Sequence, residues 1–323
     1  MTTTIKKISN WSEYNNSLIR RGRFSIWVTK EIMENWRAVE DNSNRGRPKI
    51  YSDAVVMLMM TLSEVYSLPY RQTQGLLEEL LEKSEYGGKL SVPEYPIMSK
   101  RGGDMKEQAY RNGEKAKAIM QKGGGVHIAI DSTGIKIYGE NEWKVKTHGQ
   151  GKRRKWVKLH AVIDIESRQV LASSVSSNDV HDGEEVLKLV DQIRRSGIGV
   201  SELYGDGAYH WNEILDELEY RQIKAYIPLP KNATLSAKDD EAHMLSKARD
   251  KLLIEQYDAG GVDSWKKSSG YHKRSLIENL FSRLKIIFGE RMRCKNPEIR
   301  RIRMNLKLHI LNVFSSLGLP QYT

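Results

Sequence analysis

Two aspartates directly follow predicted β-strands, a position at which proteins often carry a metal or substrate site. Asp131 follows the apolar segment 128–130, and Asp206 follows the short segment 203–205; both segments have the composition of a β-strand. In open α/β sheets, such sites form beyond the carboxyl ends of the strands. Because a strand-end aspartate more often caps a turn, neither residue identifies a site by itself.

A third acid, Glu278, lies in a helix predicted over residues 275–288. On a helical wheel that starts at Tyr271, with about 100° per residue, Tyr271, Arg274, Glu278 and Lys285 fall within about 60° of one another. This stripe offers a phenol, a guanidinium, an acid and an amine. A carboxylate can bind a metal ion, and the two cations can hold phosphate groups. The opposite face is predicted to be buried and consists of Leu276, Leu280, Leu284 and Ile287.

Composition narrows the class of protein. The 323 residues include 52 Lys and Arg against 41 Asp and Glu, a formal charge of +11, which favours a polyanionic partner such as nucleic acid. The single cysteine, Cys294, excludes an internal disulfide framework and a Cys-rich zinc site. The apolar run 54–60 is far shorter than the ~20 residues of a membrane span, and no secretory signal is visible at the start. The expected location is the cytoplasm, with no membrane partner.

The polar, glycine-containing stretch 100–125 predicts a boundary between two domains, 1–122 and 123–323. Before it, Ser52 is expected to cap a helix that ends near Tyr66, Pro69 to open a second helix, and Pro93 to open a third that ends near Lys100. These three helices, with basic residues beside them, fit a helix-turn-helix DNA-binding region, although they fit plain scaffolding equally well.

After residue 125 the pattern changes to strands. Strands are predicted over 126–130, 135–138, 157–163 and 170–175, followed by a helix capped by Asp182, a strand over 203–205, a helix over 211–220 and a strand over 225–227. This order predicts a mixed sheet with helices packed on it. Residues 231–270 carry no clear pattern beyond some helix. The fold class is therefore α/β, with an amino-terminal helical domain.

The motifs resemble a known family. Tyr271, Arg274, Glu278 and Lys285 have the spacing of the Y-R-E-K signature of bacterial insertion-sequence DDE transposases. The following strings are similar to the IS-five branch of that family: AIDST at 129–133, RRKWVKLH at 153–160, YGDGAY at 204–209 and RSLIENLF at 274–281. Less specific likenesses at 47–51, 68–72 and 92–95 extend the resemblance over nearly the whole chain.

The resemblance implies an RNase H-like catalytic core in which Asp131, Asp206 and Glu278 are the catalytic acids and the ligands of Mg²⁺, with Mn²⁺ as a substitute. The acids are 75 and 72 residues apart, and the second interval leaves little room for the large inserted domain of some relatives. His210 departs from the pattern, because relatives often carry an acid there. Tyr271, Arg274 and Lys285 are expected to contact DNA phosphates.

The implied function is that of a transposase. It would bind the terminal inverted repeats of its own element, cleave each end and join the freed 3′-hydroxyl to target DNA, with double-stranded DNA as its partner. Two element ends suggest a homo-oligomer of at least two chains on the bacterial nucleoid. Two alternatives stay open: a structure-selective nuclease on the same fold, and a non-catalytic helix-turn-helix DNA-binding protein. Three intact acids argue against the second, because they would repel one another without a metal ion.

A basic segment at 144–158 carries seven cations and no acid, which favours contact with phosphates. The predicted DNA contacts within it are Lys152, Arg153, Arg154, Lys155 and Lys158. His127 and His160 lack partners at metal-ligand spacing and are expected to be packed or hydrogen-bonded. Asp164, Asp179 and Asp182 are interpreted as turn or cap residues, and Cys294 has no evident base partner.

Overall fold

The computed structural model of the protein describes residues 7–38, 48–103, 118, 121, 125–137, 156–235, 247–292, 294 and 296–322. The chain forms two compact units. The helical unit comprises Met1–Gln108 and Cys294–Thr323, and the sheet unit comprises Ala109–Arg293. Among the helices of the described residues, none combines the length and the apolar character that crossing a membrane requires.

The helical unit is built from α-helices joined by short turns. Its helices are α1 (Trp11–Arg21), α2 (Lys30–Glu34), α3 (Asp53–Val65), α4 (Tyr70–Glu82), α5 (Pro96–Arg101) and, near the carboxyl end of the chain, α11 (Pro297–Leu317). A 3₁₀ turn, Phe24–Ile26, follows α1.

Helix α3 is the centre of the helical unit. Ser52 caps it as predicted, because its hydroxyl accepts a hydrogen bond of 3.4 Å from the amide of Val55. The helix contacts α4, α5 and α11, and most of its residues are buried. Its buried apolar side chains are Val55, Val56, Leu58, Met59, Met60 and Leu62.

An acid is buried at the end of α3. Glu64 is 6% exposed and forms ion pairs with two cations of α11, Arg303 and Lys307, the second at 3.5 Å. The Arg303 guanidinium also lies over the Tyr70 ring, 5.8 Å from its centroid. Removing water from these charges is costly, and their mutual contacts offset that cost.

The last helix belongs to a different unit from the one the sequence pattern suggests. The predicted boundary assigns 123–323 to one domain, whereas α11 packs against α1 and α3, so residues 294–323 are part of the helical unit. Glu64 pairs with Arg303 and Lys307 over a long sequence distance, and the apolar face of α11 packs within the helical unit. The local sequence pattern does not show which distant helices α11 contacts.

The third predicted helix is shorter than expected. Helix α5 begins at Pro96 rather than at Pro93, consistent with the preference of proline for the first turn. Of its basic end, Lys100 is exposed, but Arg101 donates a 2.7 Å hydrogen bond to the Tyr51 carbonyl and pairs with Asp53. Arg101 therefore stabilises the unit itself.

The sheet unit alternates strands and helices. Its strands are β1 (Val126–Ile137), β2 (Trp156–Asp164), β3 (Val170–Ser177), β4 (Val200–Tyr204), β5 (Lys224–Tyr226) and β6 (Arg291–Met292). Its helices are α6 (Gly183–Arg195), α7 (Asn212–Tyr220), α8 (Lys247–Asp258), α9 (Val262–Ser268) and α10 (Leu276–Phe288). Helices α8 and α9 occupy the region 231–270 that the sequence pattern leaves unassigned.

The strands form one mixed sheet in the order β3-β2-β1-β4-β5, with β6 paired to β1. The pairs β3–β2 and β2–β1 are antiparallel, whereas β1–β4 and β4–β5 are parallel. Helix α6 packs on β2, β3 and β4, and α10 packs on β1 and β2. This arrangement confirms the expected RNase H-like mixed sheet flanked by helices.

Strand β1 differs from its prediction. Two strands, 126–130 and 135–138, are expected on either side of Asp131, but the structure has one strand that continues through Asp131 to Ile137. The continuation follows from antiparallel pairing with β2, which extends from Ile128 to Lys136. The end of the second predicted strand, Tyr138, lies outside the described residues.

We predict that Glu64→Ala destabilises the helical unit by about 3–5 kcal/mol, because two cations lose their shared buried partner. Urea unfolding followed by circular dichroism measures the change. Glu79→Ala is the matched control, because Glu79 forms an exposed ion pair with Lys83 one helix away. Equal unfolding midpoints for the two variants would contradict the structural role of Glu64.

Candidate active site

The register between two parallel strands places the first two acids at one edge of the sheet. The last paired residues of β1 and β4 are Ala129 and Tyr204, and Asp131 and Asp206 each follow two residues later. Both carboxylates therefore lie just beyond the point where the parallel pairing ends, which is where open α/β sheets form their sites.

Asp206 is also the cap of a turn. Its Oδ1 accepts a 2.8 Å hydrogen bond from the Ala208 amide at the start of the 3₁₀ turn Gly207–Tyr209. The glycine before it is required by close packing: a Cβ at Gly205 would lie 2.9 Å from the Tyr209 ring. Tyr209 is fully buried and so supports the segment that carries Asp206.

The third acid is joined to the first by a guanidinium. Arg274 donates from Nη1 to Oδ2 of Asp131 at 3.0 Å and from Nη2 to Oε1 of Glu278 at 2.5 Å. Charge-assisted hydrogen bonds of this kind are among the strongest in proteins. Arg274 therefore holds together two carboxylates that are far apart in the sequence.

The segment that carries Arg274 is not the continuous α-helix assumed for the helical wheel. Tyr271–Ser275 form a 3₁₀ turn, and α10 begins at Leu276. The expected buried face is confirmed for Leu280 and Leu284 but wrong for Ile287, which is 36% exposed. The helix buries Ile277 and Phe281 as well, and Leu276 is only half-buried, so the buried face is rotated from the predicted one.

The predicted phosphate ligands separate into two positions. Arg274 lies at the carboxylates, and Tyr271 begins the same turn. Lys285 lies in the last turn of α10, seven residues and about 10 Å along the helix from Glu278. The pKa of Glu290 is lowered mainly by a hydrogen bond from Lys136, and the charge of Lys285 lowers it further.

The charges around Asp131 are unevenly balanced. Burial raises the pKa of Asp131, and the charges of Asp206 and Glu278 raise it further. The amide of Ser132, which donates to Oδ1 at 2.8 Å, and the guanidinium of Arg274 oppose this shift. The net effect is a raised pKa, and its largest cause is the burial of the carboxylate.

An aromatic ladder connects the turn to the sheet. Tyr204 and Tyr226 stack at 4.4 Å between centroids, Tyr226 is 6.4 Å from Trp265, and Trp265 is 5.9 Å from Tyr271. Trp265 is fully buried, and burial raises the pKa of Tyr271. The ladder therefore ties the turn that carries Arg274 to the strands beside Asp206.

The donor set suits a hard divalent cation. Asp131, Asp206 and Glu278 offer only oxygen atoms, the ligands that Mg²⁺ and Mn²⁺ prefer, and their charges already act on one another. Within the described ranges, no group of three or more His, Cys, Asp or Glu side chains is arranged closely enough to hold an ion. Glu278 is the adjustable member, because its side chain is 54% exposed and has room to change rotamer.

The basic segment is described only at its end. Lys158 donates to Oδ1 of Asp182 at 3.1 Å and to the Val180 carbonyl at 2.9 Å, so its ammonium group is used inside the unit. The other cations predicted to contact DNA lie outside the described residues: Lys152, Arg153, Arg154 and Lys155. Their contact with phosphates stays a prediction.

Two histidines and one aspartate have the structural roles that the sequence predicts for them. His127 pairs with Glu202 at 3.1 Å, and His160 is buried with Nε2 at 2.7 Å from the Ser176 hydroxyl. Asp164 accepts a 2.6 Å hydrogen bond from the amide of Ser167 in the turn after β2. These three side chains are hydrogen-bonded or ion-paired within the sheet unit.

Sequence reasoning missed two polar side chains near the acids. Asp182 is predicted to cap α6, and this prediction is wrong, because its side chain makes no capping hydrogen bond. Ser132 follows Asp131 directly and carries no prediction of its own. Tyr209 enters the sequence analysis only as part of a motif. Its buried hydroxyl has no hydrogen-bond partner among the described residues. Burial raises its pKa, and the charges of Asp131, Asp182 and Asp206 add to the shift. No periodicity or spacing in one sequence distinguishes these residues.

We predict that Asp131→Asn is more stable than the wild type at neutral pH. Folding raises the pKa of Asp131 above its ordinary value of 3.8, so ionisation of this carboxyl is less favourable in the folded chain. The free energy of unfolding therefore falls as the pH rises from 3.8 through the raised pKa. Thermal unfolding at several pH values should show a higher Tm at pH 7, by about 2–4 °C per kcal/mol gained, and a smaller difference near pH 4. Asp179→Asn is the control and should show no gain, because hydrogen bonding to Ser177 is the largest of the effects that lower the Asp179 pKa.

Comparison with known proteins identifies the family. Residues 122–313, more than half of the chain, match the profile of the transposase DDE domain, and residues 19–140 match a second profile of the same description. A piggyBac transposase synaptic complex with hairpin DNA is similar at 10% identity over 97% of this chain and 78% of that one, with a TM-score of 0.39. A pre-cleavage Mos1 transpososome is similar at 14% identity over 76% and 82%, with a TM-score of 0.24. On the match to its catalytic-domain profile, with the acids at the sheet edge, this chain belongs to the DDE transposase family.

Proposed function

We propose that the protein binds the terminal inverted repeats of an insertion sequence and catalyses metal-dependent DNA cleavage and strand transfer. The observation that supports this most is that Asp131 and Asp206 follow the paired ends of β1 and β4, while Arg274 joins Asp131 to Glu278. Hydrolysis of a phosphodiester and attack by the freed 3′-hydroxyl are both displacements at phosphorus, so one site can perform both.

Asp131, Asp206 and Glu278 would hold Mg²⁺, for which Mn²⁺ would substitute. When bound there, the ion would supply Lewis acidity that activates the attacking oxygen and stabilises the leaving oxygen. The protein's part is to keep the three carboxylates ionised and correctly oriented. Arg274 serves this purpose, because its positive charge opposes the rise in the Asp131 pKa.

Arg274 also has the chemistry to contact the scissile phosphate. A guanidinium has five N–H donors, and the bonds to Asp131 and Glu278 engage one on each terminal nitrogen. Burial lowers its pKa, but Tyr271 and the two carboxylates outweigh this and raise it, so the group stays charged. A fixed cation at this position would stabilise charge that develops on phosphate oxygens.

The helical unit supplies the candidate region for recognition of the element ends. The last of its helices α3, α4 and α5 carries the exposed Lys100 in its final turn, and the net charge of +11 suits a DNA partner. Because an element has two ends, the active form would contain at least two chains. The assignment to the IS-five branch belongs to this proposal as well.

We predict that Asp131→Asn, Asp206→Asn and Glu278→Gln each slow cleavage of inverted-repeat DNA by about 1000-fold or more, because each removes a metal-binding oxygen. DNA affinity in a gel-shift assay should stay within about threefold, since the three acids themselves do not bind phosphates. EDTA should abolish cleavage, and Mg²⁺ or Mn²⁺ should restore it. Asp179→Asn, an exposed acid of the same unit, should match the wild type.

The products of that assay separate the alternatives. Cleaved ends that are then joined to target DNA support a transposase. Cleavage without joining would indicate a nuclease, and specific binding without cleavage would indicate a non-catalytic DNA-binding protein. Cleavage that persists in EDTA would contradict the metal-binding role of the three acids.

We predict that Arg274→Ala slows single-turnover cleavage of pre-bound end DNA by about 30- to 1000-fold, equivalent to about 2–4 kcal/mol. Lys285→Ala should mainly weaken binding and change the salt slope by about one unit, because Lys285 lies about two helical turns from Glu278. Lys267→Ala, an exposed cation of α9, is the control. Equal rates for the Arg274 and Lys267 variants would show that Arg274 only stabilises the fold.

A further inference from the structure

Asp182 occupies the cap position of α6 without capping the helix. Its backbone is already helical, with φ −61° and ψ −33°, and its side chain makes no hydrogen bond to the amides of the first turn. A cap residue normally has extended backbone and accepts such a bond. The carboxylate is 21% exposed and must therefore have partners elsewhere that keep it at this position.

Those partners belong to β1 and β2. The Ser132 hydroxyl donates to Oδ2 of Asp182 at 2.9 Å, and the Lys158 ammonium donates to Oδ1 at 3.1 Å. Lys158 also donates to the Val180 carbonyl at 2.9 Å, which fixes it beside the start of α6. His160 Nδ1 is 3.9 Å from Asp182, and His160 lies opposite Ser132 in the β1–β2 register.

The contact continues from Ser132 to the catalytic acid. The Ser132 amide donates to Oδ1 of Asp131 at 2.8 Å, while Arg274 binds the other oxygen, Oδ2. Neighbouring side chains of a strand point to opposite faces, so Ser132 is held from the α6 side while Asp131 faces the turn that carries Arg274. The chain of contacts is Asp182, Ser132 hydroxyl, Ser132 amide, Asp131.

We propose that Asp182 is a positioning residue that orients the Asp131 carboxylate through Ser132, and that Lys158 serves this network by balancing the Asp182 charge. The inference rests on the proposed function, because it assigns a task to a residue next to the proposed metal ligands. Groups that orient a metal ligand typically contribute 10- to 100-fold in metal affinity or rate.

The test compares Ser132→Ala, Ser132→Thr, Asp182→Ala and Asp182→Asn with the control Asp179→Asn, which removes an exposed charge three residues from Asp182. Mn²⁺ binding followed by electron paramagnetic resonance is the first readout. Ser132→Ala and Asp182→Ala should bind Mn²⁺ about 10- to 100-fold more weakly. Ser132→Thr, which keeps the hydroxyl, should stay within about threefold of the wild type, and Asp182→Asn, which keeps an acceptor, should fall between.

Single-turnover cleavage of pre-bound end DNA is the second readout, and Tm is the third. The Ser132→Ala/Asp182→Ala double variant should be no slower than Asp182→Ala alone, because both substitutions break the same contact. Wild-type Mn²⁺ affinity and rate in Ser132→Ala would overturn the proposal. A lower Tm in Asp182→Ala with normal binding in Ser132→Ala would assign Asp182 to helix stability instead.

Failure of the proposed function gives a different result. If the wild-type protein binds Mn²⁺ but cleaves no end DNA, the transposition proposal fails, while the Mn²⁺ comparison still decides whether Asp182 orients Asp131. If Asp182→Ala does not fold, the pair Ser132→Ala and Ser132→Thr decides the question, because these variants differ only in the hydroxyl contact and a methyl group.

Discussion

The parallel pairing of β1 with β4 is the constraint on which the site depends. Its register places Asp131 and Asp206 at the same edge of the sheet, and the 3₁₀ turn before α10 brings Glu278 to them. The charges of Asp206 and Glu278 act unfavourably on ionised Asp131, so a cation beside it stabilises the carboxylate. Arg274 supplies this cation, and the aromatic ladder fixes the turn from which Arg274 reaches the carboxylates.

The same edge is a place where stability is lost. Asp131 ionises less readily in the folded chain than in water, and the buried Tyr209 hydroxyl has no hydrogen-bond partner within the described part of the chain. Buried polar groups are normally paired, so the Tyr209 hydroxyl is costly here, whereas Asp131 keeps hydrogen bonds from Arg274 and Ser132.

Local signals in the sequence predict local structure well here. The cap at Ser52, the positions of strands β2 and β3 and the position of Glu278 in a helix all depend on residues within a few positions of one another. What the sequence misses depends on distant partners. The continuation of β1 needs the pairing with β2, and the contact of Asp182 with Ser132 joins residues 50 positions apart. A wheel drawn from Tyr271 fails for a related reason, because 3₁₀ and α geometry are indistinguishable in a single sequence.

The path of the chain decides which variants can test the proposed DNA recognition by the helical unit. The sheet unit is inserted between two parts of the helical unit, since the chain leaves that unit near residue 108 and returns to it at 294. A fragment that starts near residue 123 would therefore keep α11 but lose α3, which leaves Arg303 and Lys307 without Glu64. In such a fragment, loss of DNA recognition could not be distinguished from loss of folding. Single substitutions at exposed cations such as Lys100 leave the Glu64 cluster intact, so they are the means of assigning DNA contacts to the helical unit.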